Sequence, residues 1–96
     1  MARKAARRSK TARVIRFQAE GLEDLRYWVA TDPKIAGRIL ELIEAARRDP
    51  FGGIGKPEPL KHLGSDIWSR RITRAERLVY RVEESFIDVL QARFHY

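Results

Sequence analysis

The chain contains no cysteine. That excludes disulfide staples and thiolate metal ligation, and it fits a reducing cytoplasm. No apolar run is long enough to span a bilayer, and no apolar segment follows the basic start as a secretory signal would require. The acids are not clustered, so no carboxylate-rich metal site is expected. The glycine-rich stretch at residues 51–57 lacks the Gly-Lys-Ser/Thr ending of a nucleotide-phosphate loop and does not run from a strand into a helix. No cofactor is implied.

Acids are also missing from the first 13 residues, which carry Arg3, Lys4, Arg7, Arg8, Lys10 and Arg13. The net charge of +7 is therefore uneven, because the rest of the chain holds 14 basic against 13 acidic residues. Residues 1–12 have few large apolar side chains and are expected to be a disordered basic extension. A solvated tail, an over-extended gene start, an RNA or ribosome tether and a transit peptide are all open readings of it. Residues 13–96 are expected to be one folded domain, and a 44% hydrophobic content suffices for one modest core. Attraction for phosphate in that body must come from local clustering, and Arg70, Arg71, Arg74 and Arg77 supply it within eight residues.

The spacing of apolar residues predicts a strand over 13–18, with Val14, Ile15 and Phe17. Leu22, Leu25, Trp28 and Val29 then predict an amphipathic helix over 19–30, weakened by Gly21. Thr31-Asp32-Pro33 stops and restarts the chain, with Asp32 as the expected cap and Pro33 at the first helical position. Ile35, Ile39, Leu42, Ile43 and Ala46 line one face of a second helix over 34–48. Residues 60–63 suggest a short turn. Strands follow over 66–73, 77–82 and 86–92, the last a nearly continuous apolar run expected at the sheet centre. The fold class is therefore α+β: strand, two helices, then a three-stranded antiparallel meander, with both helices on one face of a curved sheet.

Chemistry concentrates in residues 55–96. Glu58 lies between two prolines, which hold its backbone extended. Lys61, Arg71 and Arg77 are cations near that carboxylate, and His95 and Tyr96 close the sequence. A carboxylate or neutral imidazole can take a proton from a hydroxyl, a guanidinium can brace phosphoryl oxygens, and an imidazolium can protonate a leaving oxygen. Such a set suits metal-free cleavage of RNA through its 2′-OH. The same residues also read as solvated strand ends and a frayed terminus. His62 reads equally as a phosphate or base contact and as a local loop bond.

The runs RRDPFGGIGKPEPLKHL and WSRRITRAERLVY, the ending HY and the upstream YWVATDPKIAGRILELIEAARRDPF closely resemble the YoeB (Txe) toxins of the RelE-type superfamily over roughly residues 14–96. The resemblance implies a microbial-ribonuclease-like fold and a ribosome-dependent endoribonuclease that cuts messenger RNA in the ribosomal A site. It also implies a YefM-type antitoxin, a possible homodimer and a cytoplasmic location. Carried over by position, it makes Glu58, Arg77, His95 and Tyr96 catalytic and gives Lys61, His62 and Arg71 supporting positions in the substrate cleft. The chain departs from the family at TRAER, where members often carry acids or a histidine before the arginine, and in its basic extension. Helix-face Arg38, Arg47 and Arg48 are expected to reach ribosomal RNA phosphates. Two rival classes stand beside the nuclease: a toxin of the same scaffold acting on a protein such as DNA gyrase, and a non-catalytic RNA-binding module.

Overall fold

The computed structural model of the chain describes residues 13–95. The expectations for residues 1–12 and for Tyr96 lie outside the described residues. The elements are β1 (Val14–Phe17), α1 (Ala19–Thr31), α2 (Pro33–Arg48), β2 (Glu58–Pro59), a 3-10 turn (Lys61–Leu63), β3 (Ile67–Arg71), β4 (Glu76–Val82) and β5 (Phe86–His95). They form one sheet in the order β1-β5-β4-β3-β2. The α+β class and the β3-β4-β5 meander match the sequence reading. The sheet, however, has five strands rather than four, and it is mixed, because β1 runs parallel to β5.

The helices form for the expected reason. Ala36, Ile39, Leu42, Ile43 and Ala46 give α2 a continuous buried stripe. Each of the larger ones contributes about 1.5–3 kcal/mol by leaving water. Pro33 occupies the start of α2, but Asp32 makes no side-chain capping bond, so the expected cap is absent. Gly21 is not a weak point of α1. A side chain there would place its Cβ 2.5 Å from the carbonyl oxygen of Val89, so glycine lets the helix lie directly on β5.

That close approach serves a second purpose. The register between β4 and β5 shifts between Arg77 and Val79 and again between Val79 and Tyr80. Near the first shift, α1 supplies what the ladder does not. Asp24 accepts the Ala92 N–H at 2.9 Å, and the buried Trp28 indole donates to the Ala92 carbonyl at 2.9 Å. Buried backbone polar groups must find such partners. The bulges carry β5 on to His95, three residues beyond the expected end at residue 92.

Strand alternation sorts the side chains. Trp68, Ile72, Leu78, Tyr80, Val82, Ile87, Val89 and Ala92 face the helices in the main core. Leu60, Ile67 and Val79, with Leu90 and Phe94 against them, form a smaller cluster on the opposite face. Glu58, Arg71 and Arg77 belong to that second face. Among the described residues no helix is long and apolar enough to cross a membrane.

Candidate active site

Glu58 reaches the sheet through β2, which sequence periodicity could not reveal. The segment is only two residues long and half proline, yet it pairs Glu58 with Ser69 and Pro59 with Trp68. Proline lacks an N–H and fits only such an edge position. The loop before it is bent by Gly55 and Lys56, both with positive φ (86° and 51°), and the Gly55 carbonyl accepts the Arg71 N–H at 2.7 Å.

Arg71 and Arg77 are directly opposite each other on β3 and β4. Arg71 lies two residues beyond Ser69 and on its face, diagonal to Glu58, a separation of about 7–8 Å that long side chains bridge. Glu58, Arg71 and Arg77 thus lie on three neighbouring strands of one face. Two like charges placed in opposition disfavour the sheet unless an anion lies between them. Arg77 is anchored: its Nη1 donates to the carbonyls of Thr73, Arg74 and Glu76 at 3.1, 3.2 and 3.3 Å. The Thr73 hydroxyl builds that turn, accepting the Ala75 and Glu76 N–H groups and donating to the Glu76 carboxylate at 2.7 Å.

Lys61 and His62 are exposed on the 3-10 turn that follows Leu60, and Leu60 is buried against Ile67 and Val79 on the same face. Lys61 also lines a groove of about 530 Å³ with Pro59, Asp66, Ile67 and Trp68.

His95 is placed differently. Its register partner is Glu76, one residue before Arg77. Arg93, two residues earlier, stacks 3.6 Å over Tyr27 of α1, so alternation starts both side chains on the helix side. The His95 Nε2 lies 3.7 Å from the Glu76 carboxylate. The structure therefore gathers Glu58, Arg71 and Arg77 but sets the imidazole beside Glu76, at the end of the sheet. Glu76 belongs to the departing TRAER segment, and the sequence reading gave it no role.

Arg70 requires a correction. The sequence reading counted it in the phosphate-attracting cluster, but it is fully buried and faces the helices. It donates to Tyr80 Oη at 3.0 Å and to the carbonyls of Asp49, Gly52 and Ile54 at 2.7 Å each. The Tyr80 hydroxyl in turn donates to the Pro50 carbonyl at 2.8 Å. Burial pushes the Tyr80 phenol above its ordinary value, against a smaller lowering by Arg70. This pair clamps the loop that leads to Glu58, so Arg70 acts on the site through the backbone. Arg47 and Arg48, on the solvent side of α2, both bond Glu44 (2.7 and 2.9 Å), and those bonds, Arg47's first, hold its carboxyl at about 2. Arg38 reaches the Arg71 carbonyl at 3.4 Å.

Comparison with known proteins agrees with this fold. Residues 17–96 match the YoeB-like toxin of bacterial type II toxin-antitoxin systems. The chain is 51% identical over 80 residues to the Escherichia coli K12 protein named Toxin YoeB, covering 83% of this chain and 95% of that one. It superposes on a YoeB dimer from Staphylococcus aureus with a TM-score of 0.82 at 36% identity, covering 88% of this chain and 99% of the other. The toxin of a heterotetrameric YoeB-YefM complex from the same organism superposes with a TM-score of 0.77 at 39% identity, over 88% and 100%. The chain belongs to the YoeB-like toxins of bacterial type II toxin–antitoxin systems.

Proposed function

We propose that this toxin is a ribosome-dependent endoribonuclease that cleaves messenger RNA in the A site by metal-free attack of a ribose 2′-OH. The observation supporting this most directly is the Glu58, Arg71, Arg77 row across three neighbouring strands. A carboxylate beside two guanidiniums suits a reaction that removes a proton from a hydroxyl while negative charge builds on a phosphoryl group. Glu58 takes the 2′-OH proton as the O2′–P bond forms. Arg77, fixed by the turn carbonyls, braces the phosphorane, and Arg71 and Lys61 add positive potential. His95 protonates the departing O5′ as the P–O5′ bond breaks, leaving a 2′,3′-cyclic phosphate and a 5′-hydroxyl. In this scheme His95 leaves Glu76 and turns toward the row when a substrate arrives. Tyr96 stacks on a base or steers the phosphate, and His62 contacts the strand near Lys61.

A site of so few groups depends on its partner for alignment, so the ribosome supplies the positioning. A YefM-type antitoxin, as in the Staphylococcus aureus complex, neutralises the toxin with an acidic amphipathic segment over the Arg71/Arg77 face. Exposed Val14, Leu22, Val29 and Leu40 offer apolar surface for a homodimer like that of the Staphylococcus aureus relative. The action is placed in the cytoplasm, where ribosomes translate.

Primer extension on messenger RNA in a translating extract tests the reading. Cuts that require ribosomes and fall by roughly 10²–10³ with Arg77→Ala are the expected result. Loss of DNA supercoiling without RNA cleavage would replace the nuclease with a gyrase poison. The pH–rate profiles of Glu58→Gln and His95→Gln assign base and acid: loss of the acidic limb in Glu58→Gln supports a glutamate base, and its retention makes His95 the base.

A further inference from the structure

The nuclease scheme leaves one buried charge unused. Asp88 is the third residue of β5, with 1% of its surface exposed. It is flanked by Arg16 of β1, its register partner, and by Arg81 of β4, also its register partner. Arg16 Nη2 bonds the carboxylate at 3.1 Å, Arg81 Nη1 lies 4.0 Å from it, and Gln18 donates to both oxygens at 3.1 and 2.9 Å. The Arg16 guanidinium also stacks over Phe86, 4.2 Å from the ring centroid. The two arginine side chains nevertheless keep 57% and 41% of their surface in solvent.

A buried ion pair is seldom more stabilising than apolar side chains of the same size. What it yields here is geometry: two guanidiniums held side by side, outward and pre-ordered, with one net positive charge. Arg81 follows Arg77 and Val79 along one face of β4, so the pair shares the face of the Arg71/Arg77 row. Four residues of strand separate Arg77 from Arg81 by roughly 13 Å, farther than one phosphodiester reaches. Between them the face is filled by the buried Val79, with Leu90 and Phe94 partly exposed beside it.

We propose that Arg16 and Arg81, oriented by Asp88, form a second phosphate-binding site that holds the RNA backbone some nucleotides away from the scissile linkage. The proposal deepens the RNA reading above and rests on it for the choice of ligand. A phosphate suits the pair because guanidiniums meet its oxygens two at a time.

The test is fluorescence anisotropy with an uncleavable 2′-O-methyl oligouridylate at a series of salt concentrations. Arg16→Gln with Arg81→Gln should weaken binding and reduce the slope of log affinity against log salt by about 0.7, as for one lost single-strand phosphate contact. Because that pair strands Asp88, the triple variant with Asp88→Asn is measured too and should behave alike while staying folded. A charge-matched control on the helix side, Arg26→Gln with Lys34→Gln, should keep the wild-type slope. An unchanged slope in the triple variant overturns the proposal, as does an equal loss in the control or no binding by the wild type at low salt. If the triple variant instead loses only polyglutamate binding, the surface serves an acidic protein segment and the RNA assignment falls. Message cleavage in the extract, which reads the Arg77 region, separates failure of this site from failure of the nuclease reading.

Discussion

Replacing Arg70 by methionine tests whether a buried cation, rather than the loop's own sequence, sets the path to Glu58. Arg70 makes four hydrogen bonds, three of them 2.7 Å bonds to the carbonyls of Asp49, Gly52 and Ile54. Hydrogen bonds from a charged donor contribute about 1.5–3 kcal/mol each when taken singly. The sum overstates the effect, because Asp49, Gly52 and Ile54 lie near the surface and their carbonyls can turn to water. Tyr80 and the inner loop cannot. We expect Arg70→Met to cost about 2–6 kcal/mol, at about 1–3 kcal/mol for each of two acceptors left buried without a donor. A domain of this size has about 5–15 kcal/mol in all, so the variant should be near the edge of folding. Arg70→Lys keeps the charge but has a single nitrogen and cannot span the same acceptors, so it should lose roughly half as much. Urea unfolding gives the free energies, and amide exchange at residues 49–56 shows whether the loop loosens first. A loss below about 1 kcal/mol in Arg70→Met, with loop protection intact, would refute the clamp.

Gly21→Ala should destabilise by about 1–3 kcal/mol in thermal or urea unfolding, although alanine favours a helix by about 1 kcal/mol, because its Cβ meets the Val89 backbone. Tyr80 gives the pH dependence. Its folded-state phenol is raised, so the folded protein keeps a proton that the unfolded chain releases, and stability should fall as pH rises beyond about 10. Tyr80→Phe should remove that alkaline slope while costing about 1–3 kcal/mol near neutrality, since Arg70 and the Pro50 carbonyl lose a partner; unfolding curves on both sides of pH 10 check both.

Elements with a strong period were legible. The second helix, expected over 34–48, is Pro33–Arg48, and the meander strands lie where alternation put them. β2 was not legible, because two residues held against a neighbour by pairing carry no period. Nor was the parallel pairing of β1, a long-range choice of partner that neither strand encodes alone. Arg70 was legible and was misjudged. Strand alternation over 66–73 puts it with Trp68 and Ile72, on the buried side, yet its type invites a place among the solvent-facing cations. Asp88 was hidden the other way, inside an apolar run whose far face is covered by arginine rather than by a helix. Two members of the site row follow from the hairpin, since Arg71 and Arg77 flank its tip and are opposite each other.

The strand that lies between β1 and β4 is also the last one described in the chain. During synthesis, residues 14–17 therefore wait for residues 86–89 before they have anything to pair with. Contacts of such long sequence separation form late and slowly. A nascent chain cut short before β5 has both helices but lacks Ile87, Val89 and Ala92 of the core they pack on, and the Arg77 strand lacks one of its neighbours. Glu58, Arg71 and Arg77 thus sit on an incomplete sheet until residues 86–95 have been made.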